Sequence, residues 1–146
     1  MTNGNGEQLS AEHYSATLID HFERPRNAGR LEDADVDTYV TNPVCGDSLR
    51  LFLRVGDEDR IEAASFLSSG CPASIATSSV ATELIAGLTL DEAAALTRDD
   101  YTEAVGGLPR SKVHCSVLAA AAVRNAVDAY RRGERTSEAT ATSEPA

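Results

Sequence analysis

Tryptophan is absent from this 146-residue chain, aromatic residues make up only 5 %, and lysine occurs once, at Lys112, beside twelve arginines. With hydrophobic residues at 42 % an ordered core is affordable in size, but Ala, Leu, Val and Ile have to build it. Long apolar runs are lacking too. The longest, Val117 to Val123, is seven residues and four of them are alanine, far short of a membrane span. The opening Met1-Thr2-Asn3-Gly4-Asn5-Gly6-Glu7-Gln8 has neither the basic end nor the apolar stretch of a secretory signal, so a cytoplasmic location is expected. A formal charge of −10 leaves no excess of base to displace counterions, which argues against a nucleic-acid binder. Cys-x-x-Cys and His-x-x-x-His are also missing, and with them any locally folded zinc knuckle.

What is present is three cysteines, an odd number that disfavours a disulfide framework. They stand in Asn42-Pro43-Val44-Cys45-Gly46-Asp47, in Ser69-Gly70-Cys71-Pro72-Ala73-Ser74 and in Lys112-Val113-His114-Cys115-Ser116. Gly, Asp or His beside each one suits a reactive or metal-binding thiolate better than core filler.

The chain reads as one α+β domain, strands first and helices after. Residues 1–10 are polar and Gly/Asn-rich and are expected to be disordered. Tyr14, Leu18, Ile19 and Phe22 fall at helical spacing, which predicts a helix over 11–22 that Pro25 ends. A short strand over 38–41 follows. Leu49, Leu51, Leu53 and Val55 alternate in a second strand over 48–55, Gly56-Asp57-Glu58-Asp59 makes a turn, and residues 60–68 supply a third strand. A small antiparallel three-stranded sheet is the simplest arrangement, packed against several helices.

After Gly70 the period changes to 3.6. Pro72 opens a helix that Gly87 stops. Thr89 with Glu92 resembles a capping box for a short helix through Leu96, and another spans 99–105. A last helix runs from His114 to Arg132. Residues 133–146 lack periodicity and are expected to form a disordered tail, which leaves 11–132 as the folded domain.

Each candidate donor falls at a boundary between these elements. Cys45 and Asp47 occupy a strand turn, with Gly46 free to adopt the backbone angle their convergence needs. Cys71 precedes one helix, and His114 and Cys115 start another. Free N–H groups and the dipole at a helix start stabilise a thiolate and lower its pKa. Cys45 and Cys71 are 26 residues apart and Cys71 and Cys115 are 44 apart, so the tertiary fold has to assemble the set. Three thiolates with Asp or His accept either tetrahedral zinc or a small iron–sulfur cluster. Asp47 is a harder donor than thiolate and a poorer match for cluster iron, so a cluster it ligates is held loosely. His114 and Cys115 point about 100° apart on a helix, which favours exchange between them over joint ligation of one ion.

These motifs resemble those of the IscU/NifU N-terminal iron–sulfur cluster assembly scaffolds. The likeness rests on the three cysteine segments, on the helix Ala73-Ser74-Ile75-Ala76-Thr77-Ser78-Ser79 after Cys71, and on Ile19-Asp20-His21-Phe22-Glu23-Arg24-Pro25-Arg26-Asn27-Ala28-Gly29 after Tyr14. It spans about residues 13 to 131, in order and with similar spacing. The resemblance implies a carrier rather than a turnover enzyme. Such a carrier accepts persulfide sulfur from a cysteine desulfurase, binds iron, builds a [2Fe-2S] cluster and donates it to apo iron–sulfur proteins. It implies Cys45, Cys71 and Cys115 as sulfur ligands, Asp47 and His114 as the exchangeable remainder, Cys115 as the persulfide acceptor, and zinc at the same residues in the cluster-free form. Two departures qualify it. The scaffolds served by a dedicated heat-shock chaperone carry Leu-Pro-Pro-Val-Lys before His-Cys, whereas this chain has Leu108-Pro109-Arg110-Ser111-Lys112, so that chaperone is not implied. The zinc-dependent sulfurtransferase branch (SufU-like) has an insertion before its last cysteine and lacks the histidine. This chain has no insertion and keeps His114, but relay of persulfide sulfur by a zinc-bound form stands as the alternative. His13 and His21 have surface or local hydrogen-bonding roles as their default, and Lys112 is a candidate for assisting sulfur transfer.

Overall fold

The structure, a computed structural model, describes residues 14–43 and 46–141; the expected disordered N-terminus, His13 and Cys45 lie outside the described residues. Its elements are α1 (Ala16–Glu23), β1 (Val36–Thr41), β2 (Ser48–Val55), β3 (Ile61–Ser69), α2 (Pro72–Ile85), α3 (Leu90–Ala95), α4 (Arg98–Ala104), α5 (His114–Arg131) and β4 (Thr136–Thr140). Short 3-10 turns at Asp57–Asp59 and Arg110–Lys112 precede β3 and α5.

The alternation in β2 does what its spacing predicts. Leu49, Leu51 and Leu53 are buried and pair with Val40, Thr38 and Val36 of β1 in an antiparallel ladder, and β3 pairs antiparallel on the other side, Leu51 opposite Phe66. This inner face packs against α2 and α5, whose Ala81, Ile85, Leu118, Ala122 and Val123 complete an aliphatic core. Phe52 points to the opposite face and is buried beneath the guanidinium of Arg30, 5.6 Å from its ring.

The sheet has four strands in the order β3-β2-β1-β4 and is mixed, which corrects the expected three-stranded antiparallel sheet. β4 lies within the segment expected to be an unstructured tail, and it runs parallel to β1 with Asp37 opposite Thr136 and Thr41 opposite Thr140. It is an edge strand whose side chains alternate only between exposed and half-buried, so it carries no apolar period to read. Polar contacts hold it instead. Ser137 Oγ lies 2.9 Å from Thr38 Oγ1, and Asn125 Nδ2 on α5 donates to Ser137 Oγ at 2.8 Å.

The first helix starts later than its periodicity predicts. Ser15 caps it, accepting from the Leu18 N–H at 2.9 Å, and its hydroxyl donates to the Val105 carbonyl at 2.6 Å, tying α1 to the end of α4. His21 is buried, not a surface residue. Its Nδ1 lies 2.7 Å from Ser79 Oγ, which also accepts the Arg26 N–H at 2.8 Å, so α1 and the turn after it are pinned to α2. The Ser/Thr run of α2 is buried nearly all round. Thr77, Ser78 and Thr82 hydroxyls donate to carbonyls three or four residues back, at 2.7 to 2.9 Å, which makes them packing residues. Among the described residues no helix is long and apolar enough to cross a membrane.

Candidate metal and sulfur centre

Two helix starts and one strand turn meet at the edge of a second, smaller apolar cluster. Leu18, Ala73, Ala76, Val80, Val105 and Cys115 form that cluster, with Cys71, Tyr14, Phe22 and Leu108 partly buried against it. Cys71 is the N-cap of α2, directly after β3 and Gly70. His114 and Cys115 are the first two residues of α5. Asp47 closes the β1–β2 turn, which backbone bonds hold: Asn42 N–H to the Asp47 carbonyl at 2.9 Å and Gly46 N–H to the Asn42 carbonyl at 2.8 Å. Gly46 has φ +81°, the left-handed conformation that glycine takes at no steric cost.

The donor atoms of Asp47, His114 and Cys115 all lie within 4.8 Å of one another. His114 Nε2 is 3.3 Å from Asp47 Oδ2, an oxygen that is buried without a hydrogen-bond partner. A buried carboxylate oxygen left in this condition is an acceptor awaiting a cation or a donor. Exchange between His114 and Cys115 was expected in preference to joint ligation, and their donor atoms lie near enough for either. Gly70 contributes by what it lacks: a Cβ there would stand 2.7 Å from Asp47 Oδ1, so only glycine lets the carboxylate seat against the β3–α2 junction.

The thiols of Cys71 and Cys115 are hydrogen-bonded to each other, and that bond splits their acidities. Cys71 is drawn down to about 6, chiefly by accepting the Cys115 S–H, then by the Ser74 backbone N–H and the charge of Lys112, against the cost of burial. Cys115 is pushed up, first by donating to Cys71 and then by burial. The pair therefore favours the thiolate at Cys71 and the thiol at Cys115. The helix-start argument therefore holds for Cys71 but is outweighed at Cys115, which is only 2 % exposed. Iodoacetamide alkylation of the metal-free protein should reach half its plateau rate at Cys71 near pH 6, while Cys115 stays unlabelled through neutral pH. Peptide mapping checks this, and two thiols reacting in parallel above pH 8 would contradict the split.

Four of the five residues singled out in the sequence thus converge, and the fifth, Cys45, lies outside the described residues. The need for glycine at position 70 was not evident beforehand, because it arises from a carboxylate supplied by another strand.

Comparison with known proteins gives this geometry a family. The model of the NifU-like N terminal domain matches residues 13–137. Among curated proteins, the iron–sulfur cluster assembly scaffold protein IscU 1 of Archaeoglobus fulgidus is 52 % identical over 119 residues, covering 82 % of this chain and 77 % of the relative. The scaffold protein IscU of Escherichia coli K12 is 42 % identical over 121 residues, 81 % of this chain and 94 % of that protein. The crystal structure of the N-terminal part of a NifU-like protein from Brucella abortus superposes with a TM-score of 0.70 at 17 % identity, covering 85 % of this chain and 97 % of that one, a likeness of fold. The chain belongs to the NifU-like N-terminal domain family.

Proposed function

We propose that this chain is a scaffold on which an iron–sulfur cluster is built from sulfur and iron and from which it is passed to apo-proteins. The observation that carries the reading is the convergence of Asp47, His114, Cys115 and Cys71 at one buried edge, in a chain of this family. Cys45, two residues before Asp47 in the sequence, completes a set of three thiolates. The cargo is a [2Fe-2S] cluster, with zinc an occupant of the same donors in its absence. The reading puts the chain in the cytoplasm, where thiols stay reduced, as a carrier and not a turnover enzyme.

The thiol pair gives the assembly an order. Without metal, Cys115 holds its proton and is a poor nucleophile. Asp47, His114 and the Cys115 sulfur would hold the incoming iron, and Cys115 would lose its proton to solvent, because a coordinating thiol is deprotonated. Cys115 is then the thiolate that attacks the terminal sulfur of a persulfide on the cysteine desulfurase. A new S–S bond forms at Cys115, the desulfurase S–S bond breaks, and the desulfurase cysteine leaves as thiolate, with no net redox change. Reduction of the bound persulfide to sulfide takes two electrons from an external donor. Lys112, whose charge already favours the Cys71 thiolate, is placed to offset the negative charge that gathers here.

The same donors suit zinc, so a zinc-bound sulfurtransferase is the second reading. The two differ in what leaves the protein. Anaerobic reconstitution with iron, cysteine and a desulfurase is expected to give a brown protein that reactivates an apo-ferredoxin. A colourless product that accelerates the desulfurase only when loaded with zinc would replace the scaffold reading with the second.

A further inference from the structure

Five hydroxyl side chains on α2 are buried: Ser74, Thr77, Ser78, Ser79 and Thr82. Thr77, Ser78 and Thr82 bond to carbonyls of their own helix, and Ser79 meets His21 and the Arg26 N–H. Ser74 is the exception. It is 1 % exposed, and its Oγ has no hydrogen-bond partner. Its place explains why. Ser74 stands in the first turn of α2, where the residue four back is Gly70, outside the helix, and the carbonyl three back, that of Cys71, already accepts the Ser74 and Ile75 N–H groups. A buried hydroxyl without a partner costs free energy, and in a native fold it calls for an explanation.

The explanation lies across Gly70. The point at which a Cβ on Gly70 would stand is 2.7 Å from Asp47 Oδ1 and 3.1 Å from Ser74 Cβ, so the bare glycine lets carboxylate and serine come near one another. The other carboxylate oxygen, Oδ2, faces His114. We propose that Ser74 is a positioning residue for the metal site: when a cation draws one oxygen of Asp47, the Ser74 hydroxyl donates to the other across Gly70 and fixes the carboxylate in its ligating orientation. This is the outer-shell role that hydrogen-bond donors play toward ligating carboxylates, and it uses a buried hydroxyl that has no other partner. It rests on the reading of Asp47 as a ligand.

Cobalt(II) binding to the full chain tests this, with the Asp47 ligand field and the sulfur-to-cobalt charge-transfer bands read in the same titration. Ser74→Ala is expected to bind Co(II) about tenfold more weakly, the usual scale for loss of an outer-shell partner. Ser74→Thr, which keeps the hydroxyl, should restore affinity and spectrum. Asp47→Ala should also weaken binding, and in that background Ser74→Ala should add less than a factor of about two, since a residue acting through Asp47 has nothing left to position. Ser74→Ala with wild-type affinity, or with the same loss in both backgrounds, overturns the assignment while leaving Asp47 as a ligand. Unchanged binding by Asp47→Ala alone overturns both. Circular dichroism of each variant verifies that the fold is retained, which removing one oxygen atom from a helix that keeps its backbone bonds should not disturb.

Discussion

Cys115→Ser should reduce persulfide capture by the metal-loaded protein to background, with the label neither retained at position 115 nor moved quantitatively to another cysteine. The expectation follows from two features of the site. Among the described residues Cys115 is the thiol grouped with both Asp47 and His114, so it is the sulfur that a cation on those two residues would strip of its proton. A serine hydroxyl at the same place is far less acidic and forms no persulfide. The variant should still fold, because the hydroxyl can take over the hydrogen bond to Cys71, although an oxygen set against the apolar cluster of Leu18, Ala76 and Val80 costs about 1–3 kcal/mol if that bond is poor. Cys115→Ala, which forgoes the bond but suits the apolar surroundings, separates a folding defect from a chemical one. The measurement is mass spectrometry of the chain after incubation with desulfurase and cysteine, with and without added Fe(II). In the wild type, iron should shift the persulfide from Cys71, the thiolate of the metal-free pair, to Cys115. Persistent full labelling of Cys71 in the iron-loaded Cys115→Ser variant would make Cys71 the acceptor.

The parts of this fold that were legible from sequence are those in which one element's own residues decide its structure. The alternation Leu49, Leu51, Leu53 marks β2 because half of that strand faces the core. Thr89 and Glu92 mark the start of α3, and both bonds of the capping box are present, at 3.1 and 3.0 Å. A second box, Thr97 with Asp100, opens α4 just before the residue where its helix was expected, and the shorter acid made it harder to see. β4 was not legible at all. Thr136-Ser137-Glu138-Ala139-Thr140 has no apolar face, and its strand exists because β1 offers an open edge and Asn125 offers an amide. The site divides in the same way. Helix starts at Cys71 and at His114 could be read locally, whereas the split in thiol acidity, the burial of Cys115 and the seat for Asp47 at Gly70 depend on segments far apart in the chain.

Asp47→Ala should yield a cluster that assembles but leaves about tenfold more slowly, roughly 1.4 kcal/mol on the transfer barrier. On the proposed reading Asp47 is the hard oxygen donor beside softer ligands, so its bond to cluster iron would be the one that opens first when an acceptor protein arrives. Removing it does not leave the iron without a fourth ligand. His114 Nε2 lies 3.3 Å from the departed oxygen and can close the gap with a better-matched donor. The substitution should be structurally mild, since the β1–β2 turn is held by the Asn42 and Gly46 backbone bonds and these do not involve the carboxylate. It also relieves the cost of a buried oxygen that has no hydrogen bond. Stopped-flow transfer to an apo-ferredoxin measures the rate, and His114→Ala combined with Asp47→Ala identifies the substitute ligand. If histidine takes over, the double variant should lose the cluster faster than the single one, and the slow transfer should vanish. An unchanged transfer rate in Asp47→Ala would instead make the carboxylate irrelevant to release. The looseness of the mixed donor set would then have to reside at His114 or among the thiolates.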